Sequence, residues 1–462
     1  MFQTISPFIM NYLKALSSEL KKEQGSQELS ATQLFWFGIC IMGIMLTNQV
    51  NWAKFSKVSL GQYSKAALSK MCLRGKVAWN RLLSCSARMI LKKFKVSEGV
   101  LVLDDKDLRR SKNVSKIHGA HKQKDKATGG YCIGQNIVML YLVTPYFCLP
   151  ISFMFYVPDP EISAWTREKR LHKKHGSKEK FRPAPERSKK HPKKYEIALG
   201  LLNEFSKEFP DFTVHNVLTD ALYGNSRFLN EVKYIFPRSQ MVSQIRNNQI
   251  VYFRGKRMSV TKYFESYRGW SQKVIIRGGK ERNVIAGGAR IFVKALGRKC
   301  FVIALKYEGE EAYRYLIAND LSWNMTSVMQ SYTLRWLIEV FFEDWSCYCG
   351  FCSLAKQRGY EGSARPLILS LLFDHCFLLH PAQQSFIEER EPLATLGSLI
   401  SQSQSEALCQ FFSDIINHED SSTEWAKIEV KIKSIFYVFQ KSSKHMNGRE
   451  TAFKPERSAM AT

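Results

Sequence analysis

The sequence predicts an α/β protein whose core is a mixed sheet with helices, with an all-β insertion in that core and helical regions on either side. Two apolar runs each end at an aspartate, GVLVLD at 99–104 and VHNVLTD at 214–220, as buried strands that deliver a polar side chain do. Residues 248–317 are rich in β-forming residues punctuated by glycine. Apolar residues recur at helical spacing before residue 97 and after residue 318.

These patterns divide the 462 residues into five predicted regions. A chain of this length has enough apolar surface for several domains. The regions are a helical N-terminal region at 1–97, a first part of the core at 98–247, a β-rich insertion at 248–317, a second part of the core at 318–385, and a helical C-terminal region at 386–462.

Charge indicates the class of partner. The chain has 68 Lys and Arg against 41 Asp and Glu, a net charge of +27, which is more than solubility requires and favours a polyanion such as nucleic acid. The 11 cysteines have no regular spacing, which favours a reducing compartment. The most apolar segment, 35–47, is thirteen residues long and is predicted to be a core helix, since a membrane span needs about twenty. With no cleavable signal pattern at the start, we expect a cytoplasmic protein.

The core elements follow in order after the N-terminal helices. The runs at 131–144 and 146–158 are two β-rich segments joined at a Thr-Pro turn, which predicts a meander after the first strand. The basic stretch 109–130 lies between the first strand and the segment 131–144, and it is predicted to be a loop. KYEIALGLLNEFSKEF then predicts an amphipathic helix before the second acidic strand.

The first acidic cluster offers two candidates for one role. Asp104, Asp105 and Asp107 stand within four residues, and such carboxylates repel one another unless cations compensate them, which favours a metal site over a structural corner. The strand pattern favours Asp104, and Asp105 remains an open alternative.

Asp220 has the clearer setting of the two strand ends. It follows a buried strand and precedes ALYGN, a small residue, an aromatic and a glycine turn. The structural alternative is that Asp220 caps the helix that starts near Asn225.

The segment 331–346, SYTLRWLIEVFFEDWS, is predicted to be one helix. At about 100° per residue, Tyr332, Arg335 and Glu339 fall on one narrow stripe, and most of the remaining circumference is apolar, so the helix is expected to be buried nearly all round. Polar groups on a buried helix need partners, a metal or a ligand. The structural alternative is an ion pair between Arg335 and Glu339.

Tyr332, Arg335 and Glu339 stand in YTLRWLIEVFF, which follows YLIANDLSW. This pattern resembles the Tyr-Arg-Glu-Lys signature of the bacterial insertion-sequence DDE transposases of the insertion sequence 4 type, and the resemblance covers roughly residues 99–385. The signature Lys is replaced by Ser346. Lys356 or Arg358 could supply the missing cation.

The resemblance implies a ribonuclease-H-like core and a transposase that cuts transposon ends and joins them to target DNA. Asp104 (or Asp105), Asp220 and Glu339 would be the catalytic carboxylates and would hold two Mg²⁺ or Mn²⁺ ions, while Tyr332 and Arg335 would bind a DNA phosphate. The partners it implies are double-stranded DNA and a second copy in a homodimer on paired ends, in the bacterial cytoplasm near the nucleoid. The region 1–97 would bind the transposon end.

Residues 167–194 contain 13 Lys or Arg against 3 Glu. Three prolines are expected to prevent a regular helix, and we predict a mobile loop that contacts the DNA backbone. The alternative is a solvated surface segment.

Three weaker signals remain. Trp270 or Trp323 is a candidate for stacking on an extruded base, although an aromatic in a β-rich region is more often core. Cys347, Cys349 and Cys352 suggest zinc weakly, and buried free thiols are the favoured interpretation. The last fifteen residues are predicted to be disordered. The alternatives for the function are a ribonuclease-H-fold nuclease without strand transfer and a catalytically decayed DNA-binding protein.

Overall fold

The computed structural model describes residues 4–110, 116–125, 128–176, 181–265, 267 and 269–437. The predicted disorder of the last fifteen residues lies outside these ranges. The helices are α1 Pro7–Lys21, α2 Ala31–Thr47, α3 Trp52–Val58, α4 Lys65–Arg74, α5 Trp79–Lys93, α6 Pro160–Lys174, α7 Lys194–Glu208, α8 Ser226–Ile235, α9 Val260–Glu265, α10 Met325–Thr333, α11 Trp336–Cys347, α12 Gly359–Leu378, α13 Pro381–Glu389, α14 Leu396–Ile416 and α15 Ser421–Phe436. The strands are β1 Glu98–Arg110, β2 His121–Lys124, β3 Tyr131–Val143, β4 Cys148–Tyr156, β5 Thr213–Thr219, β6 Gln240–Ile245, β7 Ile250–Phe253, β8 Lys256–Ser259, β9 Trp270–Ile275, β10 Glu281–Val293, β11 Arg298–Tyr307 and β12 Arg314–Ala318.

The centre of the fold is a mixed sheet, as predicted. β1 pairs antiparallel with β3, which pairs antiparallel with β4, and the predicted meander is therefore present. On its other side β1 pairs parallel with β5, and β5 pairs parallel with β6. Three antiparallel strands followed by two parallel ones make the ribonuclease-H-like arrangement that the sequence predicted.

The parallel strands need crossover helices, and the sequence supplies them. α7 lies between β4 and β5 and buries Ile197, Leu201 and Phe205, while α8 lies between β5 and β6. β1 is buried from Val100 to Leu103, so its apolar run has the composition of a strand covered on both faces.

The first acidic strand is longer than predicted. The expected strand ended at Asp104, but β1 continues to Arg110 because β3 pairs with it along its length, from Val100 opposite Val143 to Arg110 opposite Ile133. The stretch that was predicted to be a loop from residue 109 therefore begins within a strand.

The β-rich stretch predicted at 248–317 is present as β7 to β12. It joins the core sheet, because β12 pairs antiparallel with β6 and β11 with β12. The twelve described strands thus form one sheet, in which β4 and β9 pair to the side of the main path.

The helical N-terminal region is confirmed, and buried polar contacts tie it to the core. α2 is the predicted core helix, buried from Trp36 to Met45. His375 of α12 contacts Ser86 Oγ of α5 at 2.9 Å and donates from Nε2 to the Pro150 carbonyl of β4 at 2.8 Å. Ser86 also shares a 2.8 Å hydrogen bond with Tyr12. Burial lowers the pKa of His375 to about 4, so the imidazole is neutral and serves this network.

The prolines of the basic stretch 167–194 were expected to prevent a regular helix, but the stretch contains one. α6 runs from Pro160 to Lys174 and takes in the first part of the stretch. Pro183, Pro185 and Pro192 all follow it, so they shape only the segment that returns to α7. Residues 177–180 lie outside the described residues.

No single described helix is long and apolar enough to cross a membrane, although α12 and α13, which meet at a 59° bend, would satisfy the same criterion as a pair.

Asp374 of α12 gives the fold a testable pH dependence. Burial, with the charge of Asp344 of α11 acting in the same direction, raises the pKa of Asp374 to about 7. The folded state therefore retains a proton that the unfolded chain has lost, so stability is full below about pH 4 and falls as pH rises toward 7.

We expect Asp374→Asn to raise the free energy of unfolding at pH 8, by up to about 3 kcal/mol, and to change it little at pH 4. Urea denaturation at both pH values measures this. An equal effect at the two pH values would contradict the assignment.

Candidate active site

Two of the predicted acids lie side by side on the parallel strands at the centre of the sheet. Leu103 of β1 pairs with Thr219 of β5, so Asp104 and Asp220, the next residue on each strand, are neighbours in register. Asp220 accepts a hydrogen bond from the Leu222 backbone N–H at 2.9 Å. The helix cap near residue 225 is Asn225, which accepts from Phe228 N–H, so Asp220 does not have the capping role that was its structural alternative.

The third acid comes from a helix that is not continuous. The sequence predicted one helix over 331–346, but α10 ends at Thr333 and α11 begins at Trp336. Arg335 occupies the break, at the N-terminus of α11. Trp336 is 40% exposed. The helix is therefore not buried nearly all round, contrary to the expectation from its apolar circumference. Leu334 and Arg335 keep right-handed helical backbone angles across this break.

Arg335 connects the helix to the sheet through its two terminal nitrogens. Nη1 donates to Asp104 Oδ2 at 3.0 Å, and Nη2 donates to Glu339 on the next turn of α11. The predicted alternative of an Arg335–Glu339 ion pair is therefore real, but it is half of a contact that also includes Asp104. Asp104 and Glu339 are brought to one place by a shared guanidinium.

Tyr332 lies at the same place. Its hydroxyl donates to the Thr219 carbonyl at 3.4 Å, at the end of β5, and the Arg335 guanidinium carbon lies 5.8 Å from its ring centroid. Burial raises the pKa of Tyr332, so the phenol stays protonated and remains a donor.

Asp104 and Asp105 lie on opposite faces of β1, as alternation along a strand requires. Asp104 faces α11 through Arg335. Asp105 accepts from Lys194 Nζ of α7 at 2.9 Å and from Asn136 Nδ2 at 2.7 Å. Asp104 therefore shares a face of the strand with Glu339, whereas Asp105 is held by its own cation.

The acids of the site raise one another's proton affinity. Burial raises the pKa of Asp104 to about 6, and the charges of Asp220 and Asp105 act in the same direction while Arg335 opposes them. Burial also raises the pKa of Asp220. The buried Tyr223 hydroxyl lies among these acids, and its pKa is raised by burial first and then by their charges. Such a cluster favours a bound cation.

The donor chemistry fits a hard divalent ion, since Asp104, Asp220 and Glu339 offer only oxygen. Among the described residues no three carboxylate, imidazole or thiol groups are close enough to hold an ion as they stand. The guanidinium of Arg335 lies between two of the acids instead. Buried polar atoms without a partner in the described protein also gather here, namely Arg335 Nε, Tyr223 Oη and Thr219 Oγ1.

Two lysines stand at the site although neither was predicted as a site residue. Lys106 follows Asp104 on the same face of β1, and its ammonium lies 5.2 Å from the Phe342 ring centroid of α11. Lys194 was counted only as part of a basic stretch, yet it pairs with Asp105. If the predicted strand had continued past Asp104, the alternation of side chains along it would have placed Lys106 on the same face as Asp104.

The position of the signature Lys has no cation. The hydroxyl of Ser346 donates to the Phe342 carbonyl one turn earlier at 2.6 Å. In the neighbouring CYCGFC segment, Cys349 is buried, but Cys347 and Cys352 are exposed. All 11 cysteines are free thiols.

Residues 43–270 match the protein-family model described as DDE superfamily endonuclease. This part of the chain is thus similar to DDE superfamily endonuclease domains. The match spans a little under half of the chain, includes Asp104, Asp105 and Asp220, and ends before Tyr332. No curated protein sequence matches the chain.

Two solved structures are similar to this chain at low identity. A piggyBac transposase in a synaptic complex with hairpin DNA is 12% identical, with 97% of this chain and 87% of that chain covered and a TM-score of 0.42. The NurA nuclease of Sulfolobus solfataricus is 10% identical, with 51% of this chain and 72% of that chain covered and a TM-score of 0.25.

The Arg335 contact predicts a measurable coupling. Arg335→Gln leaves Asp104 without its cation in a partly buried place and is expected to lower the free energy of unfolding by about 3 kcal/mol. In an Asp104→Asn background that cost is expected to be about 1–2 kcal/mol smaller. Urea denaturation of the four proteins of this double-mutant cycle measures both values.

The matched control is Lys433→Gln, which removes an exposed partner of Glu429 at the same i,i+4 spacing and should leave stability unchanged. Additive costs for Arg335 and Asp104 would show that the two side chains do not interact.

Proposed function

We propose that this protein is an insertion-sequence transposase of the insertion sequence 4 type that cuts transposon ends and joins them to target DNA. The observation that carries the proposal is that Arg335 contacts both Asp104 of β1 and Glu339 of α11, while Asp220 follows the adjacent parallel strand beside Asp104. A structural ion pair needs one acid for one base. Two acids on one guanidinium, with a third acid next to the first, leave negative charge that further cations would compensate.

Asp104, Asp220 and Glu339 are the proposed ligands of two Mg²⁺ or Mn²⁺ ions, which would activate the attacking oxygen and stabilise the leaving oxygen of an in-line displacement at phosphorus. Arg335 is the proposed phosphate ligand, because its planar fork matches two phosphate oxygens. The guanidinium that now contacts Asp104 and Glu339 would turn to the phosphate when cations replace it beside those acids. Its buried, unpaired Nε is a further donor for that contact.

Tyr332 is the second proposed phosphate ligand. Its raised pKa keeps the phenol protonated, so it can donate to a phosphate oxygen beside the bond that breaks. Its present contact with the Thr219 carbonyl is long, at 3.4 Å, and exchanging it for a phosphate costs little.

Lys106 is the residue we propose in place of the signature Lys. It shares a strand face with Asp104 and reaches α11 at Phe342, whose carbonyl binds Ser346. A cation is therefore available on this side of the site although position 346 is a serine. The net charge of +27 supports double-stranded DNA as the partner. A homodimer on paired ends and a location near the bacterial nucleoid are parts of the same proposal.

Trp270 is the better of the two base-stacking candidates. It is 71% exposed at the start of β9, whereas Trp323 packs partly buried against the core. A cavity of about 210 Å³ is lined by Val274 of β9 and by the proposed site residues Arg335 and Glu339. Trp270 thus stands on the strand that faces the site, where an extruded base would be stacked.

A second candidate function follows from Ser346. Its hydroxyl is bonded to its own helix, so the fourth position of the signature has no cation. If Lys106 does not replace that cation, the protein would be a catalytically decayed DNA-binding protein.

The first test is metal-dependent cleavage of labelled DNA that carries the inverted repeats flanking the gene. With Mg²⁺ we expect nicking at the repeat boundary, none with EDTA, and a loss of about 10³-fold for Glu339→Gln, since the side chain would hold the reacting centre. Glu343→Gln is the matched control, because Glu343 lies one turn further on α11 and is exposed. Tight binding without cleavage by the wild type would favour the decayed protein.

The same assay distinguishes Asp104 from Asp105. Asp104→Asn is expected to abolish nicking, because Asp104 shares the strand face of Glu339, while Asp105→Asn should retain it, because Asp105 is paired with Lys194 on the other face. The reverse pattern would assign the first acid to Asp105.

A further inference from the structure

The most basic stretch of the chain forms an arm with its own internal packing. The arm consists of α6 and the segment 181–193 that returns to α7. No side chain of α6 is buried, so the helix contributes nothing to the core. A helix with no buried apolar face must be stabilised by other contacts or by a ligand.

The return segment packs along one side of α6. The Trp165 indole N–H donates to the Arg182 carbonyl at 3.0 Å, and the Phe181 ring contacts the rings of Trp165 and His172 at centroid distances of 5.9 and 5.1 Å. Arg182 also pairs with Glu168. The described part of the arm is therefore partly helical and packs on itself, whereas its predicted mobility stays a prediction.

The base of the arm lies at the candidate active site. Asp159, the N-cap of α6, accepts the Ser188 backbone N–H at 2.9 Å and so joins the two halves of the arm. The return segment ends at Lys193, and the next residue, Lys194, begins α7 and pairs with Asp105. A ligand that lies along the arm would thus be led to the edge of the acidic cluster.

The other side of α6 is a row of cations. With Arg167 as zero and about 100° per residue, Arg170 falls near 300° and Lys174 near 340°, while Trp165, Glu168 and His172 fall between about 100° and 160°. The row therefore points away from the return segment. From Arg167 to Lys174, seven rises along the helix, it extends about 10 Å.

These cations have no acidic partners in the described part of the chain. Arg167, Arg170 and Lys174 are exposed, and none forms an ion pair with a described carboxylate. The same holds for Lys173, Lys189 and Lys190 on the rest of the arm. Such a density of unpaired charge is costly unless a polyanion compensates it.

We propose that the Arg167–Arg170–Lys174 face of this arm binds the phosphate backbone of duplex DNA beside the cleavage site, without reading sequence. Arginine and lysine are the residues that bind DNA phosphates, and such contacts position a duplex without specifying its sequence. This inference rests on the proposed function, since it assigns the arm to the DNA that the active site cuts.

An acidic protein would be a poorer fit. Protein interfaces depend on buried apolar anchors, and the face offers one large apolar side chain, Leu171, which is 49% exposed. A single exposed leucine is ordinary on a protein surface.

The test is the salt dependence of binding to a random-sequence duplex for wild type and for Arg167→Gln/Arg170→Gln/Lys174→Gln. Losing three phosphate contacts is expected to make the slope of log K against log salt less steep by about 2.7. Affinity for an inverted-repeat duplex should fall by the same factor as for the random one.

A control variant removes the same charge elsewhere. Lys427→Gln/Lys431→Gln/Lys433→Gln changes three exposed lysines of α15 and should leave the slope unchanged. Circular dichroism and the melting temperature establish that both variants are folded.

Three results would overturn the inference: an arm variant with the slope of the control, a loss of affinity confined to the inverted repeat, or normal duplex binding with lost binding to polyglutamate, which would assign the face to an acidic protein. Cleavage by wild type with an unchanged slope in the arm variant would reject the arm and keep the transposase. A reduced slope with no cleavage by wild type would keep the arm and reject the transposase.

Discussion

The arrangement of the site depends on one guanidinium that serves two acids from different elements. Arg335, at the N-terminus of α11, contacts both Asp104 of β1 and Glu339 on the next turn of α11. Without that contact two carboxylates would face each other in a partly buried place, next to Asp220. The contact of Arg335 with the two acids thus constrains the position of α11 against the sheet. The guanidinium and the carboxylates are also the groups that bind phosphate and metal ions.

The fold explains why these groups meet. β1 and β5 are adjacent and parallel, so Asp104 and Asp220 emerge at the same level of the sheet, and α11 crosses that level. The other face of β1 has its own cation, Lys194, which arrives from the arm. Arg335 on one face of β1 and Lys194 on the other therefore each pair with an aspartate of this strand. Lys194 directly follows the return segment of the basic arm.

Local patterns predicted most of this, and the failures have a common cause. The runs ending at Asp104 and Asp220 and the amphipathic α7 depend on residues close in sequence, and all are present. The continuation of β1 depends on pairing with β3 as far as Ile133, which no local pattern records. The contact of Arg335 with Asp104 joins residues 231 positions apart, and the packing of the arm joins Trp165 to Phe181 and Arg182. The candidate residues Tyr332, Arg335 and Glu339 were predicted from a resemblance, but the contact of Arg335 with Asp104 could not be.

Iron-directed cleavage of the polypeptide tests most directly the proposal that Asp104, Asp220 and Glu339 hold the two divalent ions. Fe²⁺ can replace Mg²⁺ at oxygen ligands, and with ascorbate and peroxide it breaks the polypeptide beside the ion, so the fragments map the site. Cuts near residues 104, 220 and 339 that excess Mg²⁺ suppresses are the predicted result. Cuts confined to the cysteine segment 347–352, or fragments that Mg²⁺ does not suppress, would contradict it.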